Sequence, residues 1–147
     1  MTVLITGGAG FIGSHVVDEF VAAGHEVVVV DNLSTGRRAL VNPRALLYEL
    51  SLADDSLLEV LAQHQPELVC HHAAHVNVRK SVEDPVFAAT QNILGTLRLL
   101  ECARKTGVKK VIFASSGGAI YGEPLEDPVR ETHPLRPISP YGGAKLA

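Results

Sequence analysis

Thr2 to Gly13 reads T-V-L-I-T-G-G-A-G-F-I-G. A short apolar run, Val3-Leu4-Ile5, meets glycines at 7, 10 and 13, and Ser14 to Ala23 then carries apolar residues at helical spacing. The pattern predicts a strand, a tight turn and a helix. That arrangement is a cradle for a dinucleotide. Gly7 can take backbone angles closed to other residues, Gly10 lets the main chain approach a pyrophosphate, and Gly13 lets the helix pack closely on its strand. The helix N-terminus directs free N–H groups and a positive dipole end at the phosphates.

A three-glycine turn alone has steric explanations, so its context decides. The next strand, Glu26 to Val30, is a valine run ending in Asp31, 18 residues after Gly13. A carboxylate there accepts hydrogen bonds from the adenosine ribose hydroxyls and repels a 2′-phosphate, which favours NAD over NADP. Arg37 and Arg38 follow and could serve a 2′-phosphate, but the motif defines the place of Asp31, whereas two arginines in a polar loop are ordinarily solvated. The loop Asn32, Leu33, Ser34, Thr35 and Gly36 stands at the adenosine end of the site, where it can line ribose and adenine or simply connect two strands.

Farther out, composition sets the class. With 46% apolar and 20% charged residues in 147, the chain reads as one ordinary globular domain and not as a disordered one. A net charge of −3 suggests neither a nucleic-acid nor an anionic-membrane partner. The start lacks a basic segment followed by an apolar core, and no apolar run approaches the ~20 residues of a membrane span. A cytoplasmic location is expected. Cys70 falls in an apolar strand-like run and Cys102 on a helical segment, without C-x-x-C spacing, so both are expected to be buried, reduced and structural.

The remaining pattern predicts strands at Leu46–Leu50, Glu67–His72 and Val111–Ser115, a helix over Ser51–His64, and a long helix over Asp84–Lys105 stopped by Gly107. Strands alternating with helices imply an α/β Rossmann-type doubly wound parallel sheet of order 3-2-1-4-5. Ligands of such sheets bind beyond the carboxyl ends of the strands, so Gly7–Gly13, Asp31, His71–His75 and Ser115–Gly118 are expected to face one crevice. His71, His72 and His75 invite a metal reading. Adjacent strand residues point to opposite faces, however, and no carboxylate or thiol has ligand spacing beside them. His72, Ala73 and Ala74 are read instead as small-residue backbone packing against the cofactor, with no metal.

The last stretch is S-P-Y-G-G-A-K, Ser139 to Lys145. On a helix beginning near Pro140, Tyr141 and Lys145 lie four apart on one face. A lysine ammonium beside a phenol favours the phenolate and lowers the tyrosine pKa toward working pH, so Tyr141 becomes an acid/base candidate. The plain alternative is a surface Tyr and Lys; the glycine turn in the same chain favours the functional reading.

The whole set resembles the extended short-chain dehydrogenase/reductase family, and within it the UDP-sugar 4-epimerases. T-G-G-A-G-F-I-G-S-H at 6–15, D-N-L-S-T-G at 31–36, H-H-A-A at 71–74, S-V-E-D-P at 81–85, N-I-L-G-T at 92–96, S-S-G-G-A-I-Y-G at 115–122 and S-P-Y-G-G-A-K at 139–145 follow in the family's order and spacing. The resemblance implies that the Phe11 and Ile12 amides meet the pyrophosphate and that Asp31 to Gly36 hold the adenosine ribose. It implies that Ser51 and Leu52 stand at the adenine, that Ala73 and Ala74 pass beneath the cofactor, and that Asn92 supports it. Tyr141 would be the catalytic base, with Lys145 binding the nicotinamide ribose. The implied reaction interconverts UDP-glucose and UDP-galactose. C4 is oxidised by NAD⁺ with its proton passing to Tyr141, the 4-keto sugar rotates, and hydride returns to the other face. The family also implies a homodimer, in which the helix over 84–105 packs on a partner subunit.

Three departures from the family pattern matter. Ser51 stands where many relatives have an aspartate for the adenine amino group. Gly117 stands where the catalytic Ser or Thr is usual, so an assisting hydroxyl must come from Ser116 or, failing that, Ser115. Relatives continue into a further strand and a smaller domain that grips the UDP-sugar. Residues 1–147 are therefore expected to be the NAD-binding domain cut before its substrate domain, inactive alone and prone to associate. Other readings stay open: a nucleotide-sugar dehydratase, whose usual acidic pair Gly117-Gly118 does not supply; a nucleotide-sugar reductase; or a non-catalytic dinucleotide-binding module.

Overall fold

Val3, Leu4 and Ile5 are all fully buried, and their alternation splits the core into two layers. In the computed structural model, which describes residues Met1–Ala147, they lie on β1 (Thr2–Thr6). Val3 and Ile5 face one layer with Val17, Val21, Val27 and Val29; Leu4 faces the other with Val28, Val30, Leu57, Leu61 and Leu99. Period-2 side-chain alternation on a strand covered on both sides produces this division. Each such side chain contributes about 1.5–3 kcal/mol by leaving water.

The elements run β1, α1 (Phe11–Ala22), β2 (Glu26–Asp31), a 3₁₀ turn (Arg38–Leu40), β3 (Leu46–Glu49), α2 (Ser56–His64), β4 (Leu68–His71), α3 (Val78–Glu83), α4 (Pro85–Ala89), a π-helical segment (Thr90–Leu94), α5 (Gly95–Thr106), β5 (Lys110–Phe113), α6 (Gly117–Ile120) and α7 (Pro140–Leu146). All strand pairs are parallel and the order is β3-β2-β1-β4-β5, as the βαβ pattern predicts. Leu4 stands opposite Val28 on one side and Val69 on the other. No helix is long and apolar enough to cross a membrane. Cys70 and Cys102 are free and buried, one in each core layer, and burial pushes both thiols up.

The chain divides into two compact units. The first comprises Met1–Ala74 and Thr96–Ala114, with the sheet, α1, α2 and most of α5; the second comprises His75–Gly95 and Ser115–Ala147, with α3, α4, the π segment, α6 and α7.

Three departures from the periodicity reading stand out. The helix expected from Ser51 starts at Ser56, because Ser51 and Asp54 form a local turn: the Ser51 N–H donates to Asp54 Oδ2 at 2.7 Å and the Ala53 N–H to Ser51 Oγ at 3.2 Å. Side chains of this kind compete with the helix for backbone donors. The long helix over 84–105 is interrupted by the π segment at Thr90–Leu94, where the Thr90 hydroxyl donates back to the Val86 carbonyl at 2.9 Å. Helix α3 was not expected at all. Asn77 caps it by accepting the Lys80 N–H at 2.9 Å, and its six residues are too few to show a helical period.

Candidate cofactor cradle and catalytic helix

The first unit carries the glycine turn. Gly7 has φ +72, and its N–H donates to the Val30 carbonyl at 2.8 Å. A Cβ on Gly7 would lie 2.6 Å from the Ala73 nitrogen, and one on Gly13 would lie 2.1 Å from the Gly7 oxygen. Both glycines are therefore imposed by the chain's own packing. Gly10 is different: a Cβ there meets only the Gly7 oxygen, at 3.3 Å. Its outer side is open where the main chain turns into α1, the space a ligand approaching the backbone would take. Gly10 is also the N-cap of α1 and no side chain caps that helix, while Phe11 and Ile12 turn their side chains outward, 78% and 65% exposed. The first-turn amides thus stand available to an anion. Beside them opens a cavity of about 540 Å³, lined by Gly10, Phe11, Ser14, Thr35 and Arg37 among others. This donor set fits a diphosphate.

Asp31 ends β2 and is 9% exposed. Its Oδ2 accepts the Ala9 N–H at 3.0 Å and its Oδ1 the Leu33 N–H at 2.8 Å. The carboxylate thus ties the glycine turn to the 32–36 loop, a role the motif did not announce. Leu33 takes a left-handed φ of 54, Asn32 Oδ1 accepts the Ser34 N–H at 3.1 Å, and the Arg37 N–H returns to the Ala9 carbonyl at 2.9 Å. Gly36 sits so close that a Cβ would lie 3.0 Å from Asp31 Oδ1. Ser34 and Thr35 remain exposed on the rim. Leu52, placed at the adenine end by sequence, has its side chain in the core against Leu57 and its neighbours, so only its main chain can face a ligand.

Of the three histidines, His71 is 2% exposed and serves as a beam under the turn: Nδ1 meets the Thr6 hydroxyl at 2.6 Å and Nε2 the Thr96 hydroxyl at 2.9 Å. Thr6 Oγ1 also accepts the Ala73 N–H at 3.2 Å, and the His72 N–H donates to the Thr6 carbonyl at 3.0 Å. His72 and Ala73 are thereby pressed against Gly7, and Ala74 follows, half-buried. No three His, Cys, Asp or Glu side chains stand together as metal ligands. Gly7–Gly13, Asp31 and His71–Ala74 thus gather at the carboxyl ends of β1, β2 and β4.

The second unit carries the chemistry-bearing candidates. Tyr141 and Lys145 stand one turn apart on α7, 8% and 7% exposed, and burial lowers the Lys145 ammonium below its usual range. A buried ammonium gains from a neighbouring phenolate, so the placement suits a tyrosine that must lose its proton. Ser116 is the half-buried N-cap of α6, and its hydroxyl does not cap that helix. Helices α6 and α7 touch closely: a Cβ on Gly142 would lie 2.5 Å from the Ala119 oxygen. Asn92, on the π segment, accepts the His75 N–H at 2.7 Å and donates to the His75 carbonyl at 3.0 Å, so it braces the chain leaving β4 through the backbone. Ser81 is a residue without a spacing signal. It is fully buried and accepts the Tyr141 N–H at 3.1 Å.

Residues 3–147 match the family described as the NAD dependent epimerase/dehydratase family. The chain belongs to that family. Among its members, the UDP-glucose 4-epimerase of Mycolicibacterium smegmatis is 45% identical over 152 residues, an alignment covering 100% of this chain and 49% of the relative. The UDP-glucose 4-epimerase of Thermotoga maritima, solved with UDP-glucose, superposes with a TM-score of 0.96 at 51% identity, over 99% of this chain and 48% of that one. The Thermus thermophilus UDP-glucose 4-epimerase, solved with NAD, gives a TM-score of 0.95 at 48% identity, over 99% and 47%. This member of the epimerase/dehydratase family thus spans about half the length of the curated relatives it matches.

Proposed function

We propose that the full-length protein interconverts the C4 epimers of a UDP-sugar, UDP-glucose and UDP-galactose, with NAD as its resident cofactor. The observation that carries the reading is the buried Tyr141–Lys145 pair on α7. Relatives of 45–51% identity that act as UDP-glucose 4-epimerases support it. Bound NAD supplies the acceptor and donor for the C4 hydride. The first-turn amides of Phe11 and Ile12 hold the diphosphate, Asp31 and the Asn32–Gly36 loop hold the adenosine ribose, and Ser51 with the Leu52 main chain closes the adenine end. His72, Ala73 and Ala74 form the floor, with Asn92 bracing the chain beyond it. Tyr141 takes the proton of the C4 hydroxyl and later returns it, Ser116 hydrogen-bonds the same hydroxyl, and Lys145 binds the nicotinamide ribose and favours the phenolate.

We further infer a homodimer. Its support is the apolar surface of α4 and the π segment, where Val86 is 75% and Leu94 57% exposed around a groove of about 450 Å³. The net charge of −3 supports neither a nucleic-acid nor a membrane partner, and a cytoplasmic location accords with both.

The test is a coupled assay on the full-length protein. Wild type is expected to convert UDP-galactose to UDP-glucose. Tyr141→Phe, which keeps the ring but not the proton carrier, is expected to retain bound NAD while losing ~10²–10⁴-fold in turnover. An NAD-loaded wild type that interconverts neither sugar, or an unimpaired Tyr141→Phe, overturns the assignment.

A further inference from the structure

An α-helix leaves its first-turn N–H groups without intrahelical acceptors. In α7, Pro140 has none to offer, the Gly142 N–H is taken by the Ser139 hydroxyl at 3.0 Å, and the Gly143 N–H returns to the Ser139 carbonyl at 2.9 Å. The N–H of Tyr141 itself is held from outside the helix. It donates to Ser81 Oγ, 60 positions earlier in the chain. That hydroxyl is not free to turn, because its own O–H donates to the Val78 carbonyl at 2.6 Å. Asn77 in turn caps the helix on which Ser81 stands. A fully buried serine that donates its proton to one backbone group and accepts from another is a fixed peg, and the residue it holds is the tyrosine.

Tyr141 and Lys145 share one helix, so their spacing to each other is a property of α7. Where the pair stands is not. Seven residues are too few for a helix to hold itself, and its placement must come from contacts with other elements. We propose that Ser81 is a positioning residue for the reaction: by holding the Tyr141 N–H it sets where the Tyr141–Lys145 pair stands. The proposal rests on the reading of Tyr141 as the proton carrier. It makes a particular kinetic signature. The pair moves as one body when the peg is lost, so the spacing between Tyr141 and Lys145 is conserved while the reacting geometry is not, and a misplacement of about 1 Å can cost ~10²-fold in rate.

The experiment compares Ser81→Ala, Ser81→Cys, Ser81→Thr and Tyr141→Phe in the full-length protein, measuring kcat, KM for the UDP-sugar, the pH profile of kcat and NAD bound per chain. Ser81→Ala is expected to lower kcat about 10- to 100-fold, with KM within about twofold, bound NAD unchanged and the pH midpoint conserved. Ser81→Cys fills the site with a somewhat larger atom but offers a poor acceptor, and carries the same expectation should the alanine variant fail to fold. Ser81→Thr keeps the hydroxyl and is expected to recover most of kcat. Wild-type kcat in both Ser81→Ala and Ser81→Cys, beside an inactive Tyr141→Phe, overturns the proposal alone. So does a loss that Ser81→Thr does not restore while remaining folded and NAD-loaded. Full activity of Tyr141→Phe overturns the reading beneath it as well.

Discussion

The carboxylate of Asp31 takes one backbone N–H from each of two loops, and this bears on more than ribose recognition. Hydrogen bonds to an ionised acceptor contribute about 1.5–3 kcal/mol each, and removing the acceptor leaves the donors desolvated. Asp31→Ala is therefore expected to destabilise the chain by about 2–4 kcal/mol in a denaturant titration. It is also expected to narrow the preference for NAD(H) over NADP(H) in calorimetry, because the ribose acceptor and the repulsion of a 2′-phosphate go together. Wild-type stability would show that the two N–H groups find water readily, and that Asp31 matters only to the ligand.

Helix α7 is the clearest case of an element held by its surroundings. It packs on α3, α4, α6 and the π segment, and three of its ties are explicit: Ser81 on the Tyr141 N–H, the Ser139 cap on the Gly142 N–H, and the approach of Gly142 to the Ala119 carbonyl. The third allows a controlled comparison between neighbours. A Cβ on Gly142 would lie 2.5 Å from that backbone oxygen, whereas one on Gly143 meets nothing within 4 Å. Gly142→Ala must push α7 away from α6, and is expected to destabilise by about 1–3 kcal/mol and to lower turnover. Gly143→Ala only removes backbone freedom from the unfolded chain, and is expected to be neutral or to stabilise by about 0.5–1 kcal/mol. Thermal melts of the two variants, with turnover in the full-length protein, check the pair; equal losses would mean the close approach is not what places α7. The π segment works in the same spirit, since Asn92 there meets both the N–H and the carbonyl of His75.

Across the molecule, what the chain leaves uncovered is as informative as what it buries. Val82, Val86 and Leu94 are each more than half exposed in the second unit, and in the first Leu97 and Leu100 point outward from α5. Helical faces of this kind are what subunit interfaces cover. For the dimer proposed above, Leu94→Glu in the full-length protein is expected to weaken association at least about thirtyfold, ~2 kcal/mol, since the proposed interface would lose an apolar anchor and gain a charge. Sedimentation over a concentration series reads the effect. A dimer of unchanged affinity would place the interface elsewhere.

The glycine turn, the five strands, their order and the Tyr141–Lys145 face were all legible in the amino-acid order. Each depends on interactions between near neighbours: side-chain alternation along Val27–Val30, the steric latitude of Gly7, a spacing of four on one helix. The parallel order then follows from the crossover rules, which leave few other topologies. What could not be read depends on partners far apart in the chain. Leu52 is a core residue because α2 folds back over it, Asp31 braces two loops because β2 ends beside the turn at Ala9, and Ser81 meets Tyr141 across 60 positions. The π segment and α3 were hidden for a related reason: neither is long enough to impose a period, and each is held by a side chain, Asn92 or Asn77, whose acceptor and donor roles appear only once the backbone is in place. Local order specifies which elements form. Packing alone decides which polar atoms meet, because a hydrogen bond demands an approach within about 3 Å that no spacing along the chain encodes.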